Sequence, residues 1–290
     1  MSVQLKACWL RARVAIHQAS EIAMAGAVKK TIAQEVAEAR ISVEEDLYKT
    51  YIVDEFSVER IKRRARESLG SNNNPGKVRL VMHHELAYLL GLQGRYQESM
   101  ENLALSEAWG LDPIAKVFSA AHISILNGQM LSAREFVEGQ DFIAQVQPES
   151  MSLLASIHVN LGVMEKALSA TAPTKSEFKH VQAAARILES IGVSDLELTK
   201  RLDTACRVIR ENISHPILGF KVFAMEGEGI LYRFLVRASI DDVVELNDKV
   251  LDALMDNHDG PLDQELSIRV TPWTVDDKPD REEAYYVGIA

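Results

Sequence analysis

The chain has 290 residues, of which 47% are hydrophobic and 26% charged, and its net charge is −10. This length predicts two domains or a repeat array with an appendage, and the mixed charge excludes a disordered tail. Only two cysteines, Cys8 and Cys206, are present and they lie far apart, which excludes a disulfide framework and predicts small buried thiols in a reducing compartment.

The N-terminal apolar run is interrupted by Arg11, Arg13 and His17, which argues against a signal peptide. No stretch approaches the roughly 18 uninterrupted apolar residues of a membrane-spanning helix. We therefore expect a cytoplasmic protein with no membrane partner.

We predict that residues 1–70 form an N-terminal helical domain. Residues 2–40 have helical spacing, and a further helix or two should end at Gly70. Residues 71–77 predict a polar loop with Pro75 and Gly76.

A dense basic stretch lies within this N-terminal region, at residues 59–68. On a helix, Arg60, Arg63 and Arg64 would share a face that could contact phosphates. The alternative is a solvated face with pairs such as Glu59 with Arg63, which we favour because no aromatic residue is interleaved.

Glycines recur every 34 residues, at Gly94, Gly128 and Gly162. Small residues recur five positions after and seven positions before each glycine. Where two helices of a hairpin cross closely, small side chains let the backbones approach, and glycine suits the turn between them. The small residues are Ser99, Ala133 and Ala167 after the glycines, and Ala87, Ala121 and Ala155 before them.

The segment from about 80 to 175 resembles the tetratricopeptide repeat (TPR), a helix–turn–helix unit of about 34 residues. It departs from that family where His83, Val117 and Met151 replace the aromatic residue expected early in the first helix, and no closing proline recurs. The resemblance implies a helical-hairpin solenoid whose concave face binds a segment of another protein. Its pattern implies that positions ten, six, three and two residues before each glycine face inward.

Eight of these inward positions form our predicted partner-binding set. They are mixed apolar and weakly polar, which suits an apolar peptide face with the aromatic residues as hot spots. The alternative is that residues 2–69 of the chain itself fill the groove. The set is His84, Tyr88, Leu92, Phe118, His122, Ile125, Ser156 and Asn160.

Two further helices are predicted after the repeats. We expect them to form a capping pair that completes a helical array over residues 77–213. Ser176 and Ser194 are the expected N-caps, and Gly192 is expected to close the first helix.

We predict that residues 214–290 form a small acidic ββαβ domain. Two β-rich runs flank the glycines at 227–229, a helix follows Ser239, and Leu266, Ile268 and Val270 alternate as in a strand. From residue 240 onward, 14 acidic residues face four basic ones, which argues against nucleic acid and anionic membrane as partners. An exposed sheet edge would allow a homo-oligomer.

No motif indicates catalysis, a cofactor or a metal. His84-Glu85 lacks the second histidine of a zinc-protease helix, and residues 256–265 lack the first and last ligands of a calcium loop. The expected fold class is mainly α, a TPR-like solenoid with a small C-terminal α/β domain. The expected function is a non-enzymatic, cofactor-free adaptor or assembly protein that binds protein partners. The alternative is a nucleic-acid-associated regulator that uses the helix at 59–66.

Overall fold

The computed structural model of the chain describes residues 30–71, 74–138, 146, 150–170, 178–259, 265–274 and 284–288. These residues are mainly helical, with a small sheet near the C-terminus, as the sequence predicts. The helices predicted before residue 30 and the cap predicted at Ser176 lie outside the described residues. The described residues divide into two compact units, the first ending at Ile123 and the second starting at Ser124. The division into three domains predicted from the sequence stays a prediction.

The first unit is built from helices whose ends follow local capping chemistry. The Thr31 hydroxyl accepts from the Gln34 amide, and the Gln34 side chain accepts from the Thr31 amide in return, which forms a capping box. Tyr51 ends the first helix in the left-handed region, at φ 52°. The helices are α1 (Ile32–Thr50), α2 (Glu55–Gly70), α3 (Gly76–Leu92), α4 (Tyr96–Ala108) and α5 (Pro113–Leu126), the last of which crosses the boundary between the units.

Three helical hairpins close with the same turn at the three predicted glycines. Gly94, Gly128 and Gly162 have φ of 75°, 73° and 76°, a region that glycine adopts without strain. In each turn the amide of the following residue donates to the carbonyl four residues before the glycine, as in a Schellman motif. These bonds are Arg95 to Leu90 at 3.0 Å, Gln129 to Ser124 at 2.9 Å and Val163 to His158 at 2.8 Å.

The small residues in register with these glycines are fully buried, as the hairpin interpretation requires. In the first hairpin, α3 packs against α4, and the Ser99 hydroxyl donates to the Ala87 carbonyl at 2.5 Å. A larger side chain at Ser99 would separate these two helices. The repeat is therefore visible in its turns and in the burial of its small residues.

In the second unit, one helix packs along the hairpin turns. A Cβ on Gly128 would lie 3.0 Å from the Cys206 carbonyl, and one on Gly162 would lie 2.7 Å from Leu198 Cγ. Thr199 Oγ1 also donates to the Leu161 carbonyl at 2.6 Å. The helices of this unit are α6 (Met130–Glu138), α7 (Met151–Asn160), α8 (Met164–Ser169), α9 (Lys179–Ile191), α10 (Asp195–Asn212) and α11 (Ile240–Asn257).

The predicted caps and the predicted capping pair have different outcomes. Ser194 caps α10, Ser239 caps α11 and Gly192 closes α9 at φ 67°, as predicted. The two helices of the pair contact different neighbours, however: α9 packs on α8 and the sheet, whereas α10 packs on α6 and α11.

The C-terminal strands form a four-stranded sheet within the described residues, in the order β3-β2-β1-β4. Strands β2 and β3 are parallel and α11 connects them, whereas β1 is antiparallel to both of its neighbours. The predicted alternation is confirmed, because Leu266, Ile268 and Val270 are buried on one face. The strands are β1 (Gly219–Met225), β2 (Gly229–Val236), β3 (Leu266–Pro272) and β4 (Tyr285–Gly288).

At both edges of this sheet, a side chain hydrogen-bonds to the strand's main chain where a neighbouring strand would otherwise pair. The Asn247 amide on α11 accepts from the Val270 amide at 2.8 Å and donates to the Val270 carbonyl at 2.9 Å, as a neighbouring strand would. On β1, beyond its pairing with β4, the His180 Nδ1 lies 3.1 Å from the Ala224 carbonyl and 3.2 Å from its amide nitrogen. Such contacts protect strand edges against pairing with another chain. Association of two chains through this sheet stays a prediction.

Candidate functional site

The eight predicted partner-binding residues divide between the two compact units. His84, Tyr88, Leu92, Phe118 and His122 belong to the first unit, and Ile125, Ser156 and Asn160 to the second. Six of them are buried, whereas Phe118 and Ser156 are half-buried. Whether any of them binds a partner stays a prediction.

In the first unit, three of the predicted residues form one aromatic row. The Tyr88 ring lies 5.1 Å from the His84 ring and 5.6 Å from the His122 ring. The His84 Nε2 is 3.1 Å from the Ser119 hydroxyl oxygen. The row runs from α3 to α5.

Helix α1 of the chain itself packs against this row. The Arg40 guanidinium lies 4.8 Å from the centre of the Tyr88 ring, and its Nε donates to Glu85 Oε2 at 2.6 Å. Arg40 also pairs with Glu44, one turn further along α1. At this position the structure matches the alternative stated above, in which an N-terminal helix fills the predicted groove.

The charges in this contact are fully enclosed, because Arg40 is 3% exposed and Glu85 is 0% exposed. Burial alone would raise the pKa of Glu85, but the Arg40 charge, with His84 beside the carboxylate, outweighs it and lowers that pKa to about 2. Burial also raises the pKa of the Tyr88 hydroxyl. Burial opposes the charge on Arg40, but Glu44 and Glu85 outweigh it and raise the pKa of the guanidinium.

These shifts define what the contact can do chemically. Near neutral pH, Arg40 stays protonated, Glu85 stays ionised and Tyr88 stays neutral, so none of the three exchanges a proton. We name the set Arg40, Glu44, Glu85 and Tyr88 the buried-charge cluster. Its geometry fixes the register of α1 against α3, because a shift of α1 would carry Arg40 away from Glu85 and leave that buried carboxylate without its guanidinium partner.

In the second unit, the predicted polar residues bond to their own helix. The Ser156 hydroxyl donates to the Ser152 carbonyl at 3.1 Å, and the Asn160 amide donates to the Ser156 carbonyl at 2.9 Å. Their neighbour His158 is also buried, and neither of its ring nitrogens has a hydrogen-bond partner among the described residues. Burial, followed by repulsion from Lys166, lowers the pKa of His158 to about 4.

An open groove of about 480 Å³ lies beside β1, and the sequence did not indicate it. Its lining combines Phe223 and Met225 with the pair formed by Arg186 and Glu226 at 2.5 Å. The helix that forms its other side starts at Lys179, about four residues after the end of the repeat-like segment. The residue pattern gave no signal for it, because α9 and β1 are distant in sequence and meet only in the fold.

The basic residues of α2 are exposed, as the nucleic-acid alternative requires. Arg60, Arg63 and Arg64 all face solvent. Arg64 pairs with Glu35, and Arg63 lies 3.8 Å from Glu67. The predicted pair of Glu59 with Arg63 is wrong: Glu59 accepts a hydrogen bond from the buried Lys62 at 2.6 Å instead.

Across the described residues, no group of three or more histidine, cysteine or acidic side chains is arranged to hold a metal ion. No helix in this part of the chain is long and apolar enough to cross a bilayer. Comparison with known proteins gives no match: no family model fits the sequence, and no curated protein or solved structure is significantly similar to it.

Proposed function

We propose that the chain is a non-enzymatic, cytoplasmic adaptor or assembly protein that binds segments of partner proteins through a TPR-like array of helical hairpins. The recurrence of one turn at Gly94, Gly128 and Gly162, with buried small residues in register, supports this reading. Repeated hairpins of this kind commonly present extended binding surfaces.

The contact of α1 with α3 is the observation that carries the proposal. It is an internal example of helix recognition on the predicted face, since Arg40 supplies a charge to Glu85 and a cation to the Tyr88 ring. Val43 and Leu47 of α1 are buried beside it and supply apolar contact. Because α1 occupies this face at Tyr88, a partner helix would bind there in place of α1, through the same kinds of contact.

Affinity capture from the native host tests the proposal. Wild-type chain is compared with Phe118→Ala and with Tyr88→Ala combined with Phe118→Ala, and Phe56→Ala serves as the matched control. Phe56 is an aromatic residue of the same unit that is 77% exposed and lies outside the predicted set. We expect partner recovery to fall in both face variants and to stay unchanged in the control. Because Tyr88 is buried, circular dichroism confirms that each variant is folded, and equal recovery from all folded variants contradicts the proposal.

The second candidate is a nucleic-acid-associated regulator, which the exposure of Arg60, Arg63 and Arg64 on one helix favours. It predicts binding to DNA or RNA that weakens with added salt. Substitution of Arg63→Glu with Arg64→Glu would abolish that binding. If the wild-type chain shows no salt-dependent binding in a filter or anisotropy assay, this candidate is excluded.

A further inference from the structure

Helix α11 has more apolar surface than its packing uses. Val243, Leu246, Val250 and Leu254 are buried, and the helix packs with this face on α10 and β3. A helix on the surface of a globular protein commonly has one such stripe, with polar residues around the rest of its circumference.

A second apolar stripe runs along an adjoining face of α11. It consists of Ile240, Val244, Leu251 and Met255, whose spacing of four, seven and four residues places them on one side of a helix. Ile240 is 73% exposed, Val244 57% and Met255 64%, whereas Leu251 is half-buried. The stripe extends over the whole helix, and its 18 residues span about 27 Å.

An acidic stripe lies beside the apolar one, with its members four, three, four and four residues apart. Successive members lie three or four residues apart, so all five carboxylates fall on one side of the helix, beside the apolar stripe. Lys249 is the one basic residue of α11, and it pairs with Glu245 at 2.7 Å. The helix therefore has no basic residue to neutralise the other four carboxylates of the stripe. The acidic stripe consists of Asp241, Glu245, Asp248, Asp252 and Asp256, all of which are exposed.

We propose that these two stripes of α11 bind a basic amphipathic helix of a partner protein. This inference rests on the proposed adaptor function and names a surface and a partner class for it. An apolar ridge on the partner would pack against Val244 and Met255, and lysine or arginine residues beside that ridge would face Asp248 and Asp252. Complementary charge along a helix sets partner choice and orientation, and apolar contact supplies the affinity.

Charge also decides against other occupants of this face. A second copy of the chain would bring one acidic stripe against another, which like-charge repulsion opposes. An anionic lipid surface is repelled for the same reason. A basic helix is the occupant that satisfies both stripes at once.

The test uses a synthetic helical peptide about 20 residues long, which matches the length of α11, with a leucine ridge flanked by lysines. A second peptide has glutamates in place of the lysines. Fluorescence anisotropy measures binding of each to the full chain at low and high salt. We expect the lysine peptide to bind, the glutamate peptide to fail, and the affinity to fall at least about tenfold when salt rises.

Two chain variants test the stripes separately, namely Val244→Ser with Met255→Ser and Asp248→Lys with Asp252→Lys. Each should weaken lysine-peptide binding at least about tenfold, a loss of roughly 1.4 kcal/mol. All four residues are exposed, so the variants should keep the thermal stability of wild type. The matched control is Glu101→Lys with Glu189→Lys, two exposed carboxylates on other helices, which should leave binding unchanged.

Three results would overturn the inference: no binding of the lysine peptide, equal binding by the α11 variants, or wild-type self-association in sedimentation that the Val244 and Met255 substitutions abolish. None of these alters partner capture that depends on Tyr88 and Phe118, so failure here is distinct from failure of the adaptor proposal. Tighter binding of the lysine peptide by wild type than by both α11 variants supports it.

Discussion

The two compact units differ in which of their buried polar groups have strongly shifted pKa values. The first unit encloses charges, with Arg40 held between Glu44 and Glu85. The second also buries one arginine, Arg201, but it differs in its histidines His158 and His215, which burial keeps neutral by lowering their pKa. A buried ion pair is costly to break from one side, whereas a buried neutral histidine is costly to protonate. The two units should therefore fail under different perturbations.

His215 shows how the second unit keeps a histidine neutral. Its Nδ1 donates to the Pro216 carbonyl at 2.7 Å, and its Nε2 accepts from the Arg237 amide at 3.0 Å. Burial lowers the pKa of His215 to about 4, with Arg210 and Arg237 adding repulsion and Pro216 opposing the shift. Protonation would place a second proton on Nε2, and the Arg237 amide would lose its acceptor.

The largest effect expected from a single substitution is in the buried-charge cluster. Arg40→Ala removes the guanidinium that contacts Glu44 and Glu85 and leaves Glu85 buried without it, which should lower the free energy of unfolding by about 3–5 kcal/mol. Urea denaturation followed by circular dichroism measures it. The control is Lys30→Ala, which removes an exposed pair with Glu38 and should cost about 0–1 kcal/mol.

A combined substitution separates the free-energy cost of losing the ion pairs from the cost of leaving a charged carboxylate buried without its cation. Arg40→Met with Glu44→Gln and Glu85→Met removes the buried charges together, and should recover most of the stability lost in Arg40→Ala. If Arg40→Ala costs no more than Lys30→Ala, the enclosed cluster does not stabilise the first unit in the way described.

Acid should destabilise the second unit before the first. The pKa of His158 and His215 falls from 6.5 to about 4 on folding, so each supplies stability that is complete above pH 6.5 and lost as pH falls toward 4. Each should cost about 2 kcal/mol at pH 5. The pKa of Glu85 falls from 4.5 to about 2, so its contribution is lost only below pH 4.5.

Tryptophan fluorescence can follow each unit separately. Trp109 lies in the first unit and Trp273 in the second, so variants that keep one tryptophan and replace the other two with phenylalanine report each unit. Between pH 7 and 5, denaturation midpoints should fall at Trp273 and stay level at Trp109. Replacing His158 and His215 with glutamine should remove the fall. An equal fall at both tryptophans would contradict the assignment.

Much of the fold follows from local patterns. The hairpin turns were predictable because glycine at positive φ and small crossing residues recur at a fixed spacing, as at Gly94, Ser99 and Ala87. The strand β3 was predictable because Leu266, Ile268 and Val270 alternate. Ser194 and Ser239 were predictable as caps because a hydroxyl before an acidic first turn satisfies a free amide.

The parts that were not predictable depend on contacts between distant residues. Arg40 and Glu85 are 45 positions apart, and no periodicity relates them. Residues 2–69 were an expected alternative occupant of the groove, but no pattern indicated that Arg40 of α1 would supply the contact with Tyr88. Likewise, Asn247 is one polar residue among many on α11, and only the fold places its amide against Val270.

The smallest expected losses of stability come from removing the hydrogen bonds of one side chain in each unit. Asn247→Ala in the second unit leaves the Val270 amide and carbonyl at the sheet margin without the partner seen here, and should cost about 1–3 kcal/mol. Ser99→Ala in the first unit removes one hydroxyl bond to the Ala87 carbonyl and keeps a side chain of similar size, so about 0–1 kcal/mol should be lost. Thermal unfolding measures both. Because Asn247 also protects a strand edge, its variant alone should show concentration-dependent association in sedimentation. Equal losses in the two variants, with no association in either, would mean that the margin of β3 does not depend on this side chain.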